Sequence, residues 1–290
     1  MKQFLLLITI LLLSTATYSQ INIKDSLVQS IAYWIKNDEV KYNVDYEWYN
    51  IKDNDTLNKL TKQNELKIKV IDSTAISYDV EWIYKRKEIE PSNPHETFRI
   101  VFRTDEFGSF KEWLNKEEVL KELKRNNFPD FIQVEKNIIS TLIIKHITHP
   151  NNEIFDFLTP YILYDVGNYL DYFGGSYSMT NYEWGNVEIY NPINKKNMNF
   201  AVVVEVEDVF EEDNLYIISS TTNPNQENLK SFMGDVFKVA IDKNDFNVEI
   251  HNRSIFHNSG WLLESFTSRN ISYKNETNIK NTYFNYLPEN

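Results

Sequence analysis

Between residues 42 and 49 the chain alternates strictly. Tyr42, Val44, Tyr46 and Trp48 are separated by Asn43, Asp45 and Glu47. Successive side chains of an extended strand point to opposite faces, so this pattern puts one face in a core and the other in water. It recurs at Leu66, Ile68 and Val70 against Lys67 and Lys69, and at Tyr78, Val80, Trp82 and Tyr84 against Asp79 and Glu81. It recurs again at Phe98, Ile100 and Phe102 against Arg99 and Arg103, and at Phe200, Val202, Val204 and Val206 against Glu205 and Glu207. Strands of a parallel sheet are covered on both faces and read as unbroken apolar runs. The alternation therefore predicts an antiparallel sheet with one wet face.

Further strands are expected around Leu215 and Ile217, at 237–241, at 246–250, and in two runs near 261–273 and 279–287. Asp53-Asn54-Asp55 and Asp72-Ser73-Thr74 have the composition of turns, and Asp242-Lys243-Asn244-Asp245 that of a tight hairpin.

Elsewhere the period lengthens. Leu27, Ile31, Trp34 and Ile35 make one stripe at helical spacing, with Asp25 as N-cap, and predict a helix over 25–36. Asn115 with Glu118 resembles a capping box ahead of Val119, Leu120 and Leu123. Pro129 opens a second helix to about Lys145. Thr159-Pro160 opens a third that ends at Gly174-Gly175. The expected fold is α+β: a curved, incomplete-barrel-like antiparallel sheet from two strand-rich halves, 40–104 and 176–287, around a central helical segment, 115–173. No linker divides residues 20–290, so one domain is expected.

Residues 1–19 have the parts of a secretory leader: Lys2, the apolar run Phe4 to Leu13, and small residues Thr17 and Ser19 before a cut ahead of Gln20. The apolar run is too short for a permanent span. Losing Lys2 moves the formal net charge from −12 to −13. That balance opposes nucleic acid and anionic lipid as partners and favours solubility. Without Cys, disulfides, thiolate metal sites and Cys nucleophiles are excluded. Only 7 Gly occur, and no phosphate-binding glycine loop or nucleophile elbow is present.

Three candidate sites follow. Trp48, Trp82, Phe102 and Val204 share the inner face of the sheet and would line an apolar cavity under the helices, suited to a hydrophobic small molecule, lipid or acyl chain. Tyr164, Tyr172, Tyr177 and Tyr182 would, if exposed together, form a patch for a glycan or protein. His146 and His149, at helical spacing with Glu153 and Asp156 downstream, are the candidates for a metal and the one route to an enzyme. Pro150 breaks the helix between them, so no metal and no cofactor are expected. The acidic run Glu205 to Asp213 lacks the order of a calcium loop and reads as a solvated strand edge and turn.

Tyr18-Ser19-Gln20, the block from Phe102 to Phe110 before Asn115-Lys-Glu-Glu-Val119, and the stretch from Tyr172 to Tyr177 before Glu188-Ile-Tyr-Asn-Pro192 resemble uncharacterised exported proteins of Bacteroidota. That resemblance implies export, to the periplasm or beyond, and carries no catalytic residues. The order sheet, helices, sheet is more loosely similar to periplasmic lipoprotein carriers. Their incomplete barrel is closed by helices around an acyl-chain cavity, but no Arg here matches a carrier's functional positions.

Overall fold

The computed structural model describes residues 20–86, 97–125, 165–191, 196–224, 246–273 and 275–288. Nearly all of it is antiparallel strand, which corrects the α+β expectation. Eleven strands form one sheet in the order β7-β6-β5-β4-β3-β14-β13-β12-β11-β10-β9. The N-terminal half contributes β3 (Glu39–Lys52), β4 (Asp55–Ser73), β5 (Ser77–Arg86), β6 (Thr97–Asp105) and β7 (Phe110–Trp113). The C-terminal half contributes β9 (Glu183–Asn191), β10 (Lys196–Phe210), β11 (Leu215–Pro224), β12 (Phe246–His257), β13 (Leu262–Tyr273) and β14 (Glu276–Leu287). The halves join where β14 pairs with β3 over twelve register positions, from Glu276 opposite Lys52 to Leu287 opposite Lys41. Among the described residues β7 and β9 are the ends of the order and do not pair, so the sheet is not a closed barrel.

The predicted turn at Asp53-Asn54 joins β3 to β4. Both residues have positive φ, 50° and 71°, as a two-residue hairpin of the twisted kind requires. The predicted hairpin at 242–245 and the strand at 237–241 lie outside the described residues.

The predicted helix over 25–36 is not formed. Ile21–Asn22 (β1) turns back on Leu27–Gln29 (β2), which pairs with Ser176–Ser178 (β8) in a separate three-stranded sheet. Ser26 at φ 53° is incompatible with a helix at that point. The residues buried here are Val28, Ser30, Ala32 and Trp34, a period of two, while Ile35 is exposed. Apolar residues stand at both spacings, and the strand spacing is the one that tertiary packing selects.

Of the central helices, Lys116–Arg125 (α1) is formed, and one short helical segment, 165–170, precedes the turn that ends at Gly174. The helix expected from Pro129 lies outside the described residues. The Asn115-Glu118 pair acts differently from a capping box. Asn115 Oδ1 accepts the Val101 N–H at 2.7 Å, and its Nδ2 donates to the Arg99 carbonyl and to Glu118. The carboxamide thus extends the β6 ladder past the end of β7 and pins the start of α1 to the sheet edge.

The core lies on one face of the sheet. Tyr42, Val44, Leu66, Ile68, Trp82, Ile100, Phe102 and Phe284 are essentially fully buried there. Residues 165–173 cover it. The Tyr169 ring meets Trp82, Tyr42 and Phe284 at centroid distances of 5.3, 5.7 and 6.1 Å. The Phe173 ring meets Phe256 at 5.5 Å. One short segment therefore serves both halves of the sheet. Gln20 anchors the other cover. It is fully buried, its N–H donating to Asn258 Oδ1 and its Oε1 accepting from the Tyr216 hydroxyl.

Candidate inner-face ligand site

Two adjacent rows of register positions cross the inner face from β10 to β3. Strand register places Val202 opposite Thr222, Thr222 opposite Ile250, Ile250 opposite Arg269, Arg269 opposite Lys280, and Lys280 opposite Trp48. The neighbouring row reads Val204, Ser220, Asn252, Thr267, Thr282 and Tyr46. Residues two apart along a strand share a face, so both rows belong to the side that carries the core.

These rows differ from the core beside them in two ways. The first is polarity. Ser220, Asn252, Thr267 and Thr282 are buried, as are Ser254 and Ser265 one row further on, whose hydroxyls bond at 3.0 Å. The Tyr172 hydroxyl lies 3.0 Å from Ser220 Oγ and 3.2 Å from the Asn252 carbonyl oxygen. Asn252 Nδ2 donates to Asp171. Asn252 Oδ1 and Thr267 Oγ1, opposite each other in register, are buried and find no hydrogen-bond partner among the described residues. A buried polar atom left without a partner costs on the order of 1–3 kcal/mol, so each such atom in a native fold calls for an explanation. The second difference is cover. Val202, Val204, Val206 and Ile250 stay half-exposed, whereas Tyr42, Val44, Leu66, Ile68, Trp82, Ile100 and Phe102 on the same face of β3 to β6 are buried.

Asp165 stands at the cationic end. Its carboxylate is buried and accepts from the Tyr46 hydroxyl at 2.7 Å and the Tyr84 hydroxyl at 3.5 Å. Burial pushes its pKa above the usual carboxylate range. The charges of Lys280 and Arg269 and the two phenols pull the other way without reversing this. Lys280 Nζ lies 5.8 Å from the centre of the Tyr46 ring. Burial, with the Asp165 charge beside it, holds the Tyr46 phenol well above its ordinary range.

Of the residues singled out from sequence, Trp48 and Val204 occupy opposite ends of the two rows. Trp82 and Phe102 lie instead in the closed core, where the Tyr169 ring and those of Phe110 and Trp113 cover them, each at 6.0 Å or less. The tyrosine patch does not form as expected. Tyr172 is buried, because its ring packs on Tyr177 and Phe256, and Tyr177 is half-buried, donating to the Tyr172 carbonyl. Tyr182 is exposed, beside exposed Trp184. Tyr164, His146, His149, Glu153 and Asp156 lie outside the described residues. Among the described residues no three His, Asp or Glu side chains gather for a metal, and no helix is long and apolar enough to cross a membrane. Sequence reasoning passed over Arg269, Lys280 and Asp165.

No protein-family model and no curated protein matches this chain. Among solved structures it is similar to a crystal structure described as a putative lipoprotein from Parabacteroides distasonis, with 9% identity and a TM-score of 0.28, over 89% of this chain and 98% of that one. A likeness of that size carries no argument about function.

Proposed function

We propose that this is an exported protein, released from its leader ahead of Gln20, that binds an apolar chain against the half-covered inner face of β10 to β12. The leader supports export. The carrying observation for binding is that Val202, Val204 and Val206 of β10, with Ile250 of β12, stay half-exposed on the face that buries Tyr42, Leu66, Ile68 and Trp82. Aliphatic side chains on a core face are ordinarily covered by the protein itself. An apolar strip left half-covered beside convergent polar groups is the usual character of a small-molecule site.

The test uses a dodecyl chain carrying a dansyl group and the mature chain. Wild-type protein should enhance the fluorescence saturably. Val204→Asp places a carboxylate in the strip and should weaken binding by about tenfold or more, the cost of a poorly solvated charge. Val203→Asp, on the opposite face of β10, should bind like wild type. Equal binding by Val204→Asp and wild type would overturn the reading.

A further inference from the structure

We infer that the outer, wet face of β9 to β14 is a binding surface for a neutral polysaccharide, with the Trp184 indole as its stacking platform. The inference is independent of the apolar-chain reading, because it uses the opposite face of the sheet.

Trp184 is 77% exposed, and Tyr182, two residues before it, is 65% exposed. Both rings therefore stand in water, at one end of a row that crosses the sheet. Strand register continues the row from Trp184 to Val203, Thr221, His251, Ser268 and Asn281. Directly opposed residues share a face, and Val203 points away from the side that carries Val202 and Val204. Neighbouring strands lie about 4.8 Å apart, so the row extends over about 24 Å. That is room for several sugar rings laid across the strands.

Beyond its aromatic end the row carries groups that give and accept hydrogen bonds. Thr221 Oγ1 lies 3.1 Å from His251 Nδ1, and His251 Nε2 lies 3.2 Å from Glu249 Oε2. A carboxylate only accepts, so the nitrogen facing Glu249 donates and the imidazole is held between the two. Ser268 Oγ donates to Asn281 Oδ1 at 2.8 Å, which orients that carboxamide. Thr221, His251, Ser268 and Asn281 all remain partly exposed, so their polar edges reach solvent.

This chemistry selects the partner. The C–H face of a pyranose lies flat on an aromatic ring, and its hydroxyls exchange hydrogen bonds with hydroxyl, amide, imidazole and carboxylate groups. A protein partner asks for an apolar centre, and the row is apolar only at Trp184 and Val203. The net charge of −12 repels acidic glycans. Carboxylates at the row are engaged locally: Glu249 by the His251 ring, and Glu47, opposite Asn281, by Lys59 at 3.6 Å and the Tyr49 hydroxyl at 2.8 Å. An uncharged polysaccharide fits all of these observations.

Native electrophoresis of the mature chain through gels holding a β-glucan, a xylan, a mannan or alginate tests the inference. At least one of the three neutral polymers should retard the wild-type protein, and alginate should not. Trp184→Ala removes an exposed ring, so it should melt with wild type, yet it should weaken retention about tenfold or more, as truncating a Trp anchor does. His251→Ala should weaken retention several-fold. Val204→Asp, on the inner face, should lose the dodecyl probe and keep the polysaccharide, which separates the two readings. Wild-type protein that runs through all three neutral gels as it runs through a blank gel overturns the inference. Retention that survives Trp184→Ala intact overturns it as well, and so does retention by alginate alone.

Discussion

Gly260 lies in the turn between β12 and β13, where the segment 31–34 crosses the end of the sheet. Its φ is +81°, a region that L side chains rarely adopt. A Cβ added there would stand 2.6 Å from the Ile31 carbonyl oxygen, 2.8 Å from the Tyr33 nitrogen and 3.1 Å from Ala32 Cα. All three are backbone atoms, so no rotamer change relieves the contact. The Gly260 carbonyl also accepts the Trp34 indole N–H at 3.0 Å, and Trp34 stacks on Trp261 at 5.0 Å. Any shift of the turn therefore disturbs a buried indole. The left-handed backbone alone costs a residue with a Cβ about 1–2 kcal/mol. Displacing packed backbone adds about 1–3 kcal/mol. A central value near 3 kcal/mol lowers the melting temperature by roughly 6–12 °C at about 2–4 °C per kcal/mol for a chain of this size. Gly185 is the control: its added Cβ meets nothing within 4 Å. Thermal unfolding followed by circular dichroism should show a large fall for Gly260→Ala and little change for Gly185→Ala. A Gly260→Ala protein that melts within a degree of wild type would refute the packing of 31–34 against this turn.

Asp165→Asn should raise stability at neutral pH. Burial raises the folded-state pKa, so the stability linked to this group is fully present below the ordinary carboxylate value, about 3.9, and is lost as pH rises through the folded-state value. The gap in melting temperature between variant and wild type should therefore shrink from pH 8 toward pH 4, and a gap independent of pH would contradict the assignment. Asn115→Ala removes the acceptor of the Val101 N–H and should cost about 1–3 kcal/mol, with faster exchange of that amide by hydrogen-exchange NMR. Asn54, at φ 71°, should tolerate Gly with no loss, whereas Asn54→Val should cost about 1–2 kcal/mol in urea unfolding.

The two kinds of strand in this sheet explain which parts were legible in the sequence. β3 to β6 and β10 keep an apolar inner face and a wet outer one, so alternation alone located them and fixed which face is buried. The segment 25–36 misled because its apolar residues satisfy both helical and extended spacing, and only packing against Phe107, Gly175 and Gly260 decides between them. β13 and β14 run against the pattern. Ser265, Thr267, Arg269, Lys280 and Thr282 face inward, while Phe266 and Tyr283 pair on the outer face at 4.9 Å. A reading that takes apolar as inside assigns these two strands no face, and Arg269 and Lys280 vanish into a featureless run. Local rules are broken chiefly where function has a use for the exception. Here the broken alternation falls on β13 and β14, the latter the strand that joins the two halves, beside the polar atoms of Asn252 and Thr267 that lack partners among the described residues. That coincidence singles out the inner face of β13 and β14 as the place where this sheet departs from the alternation that the other strands keep.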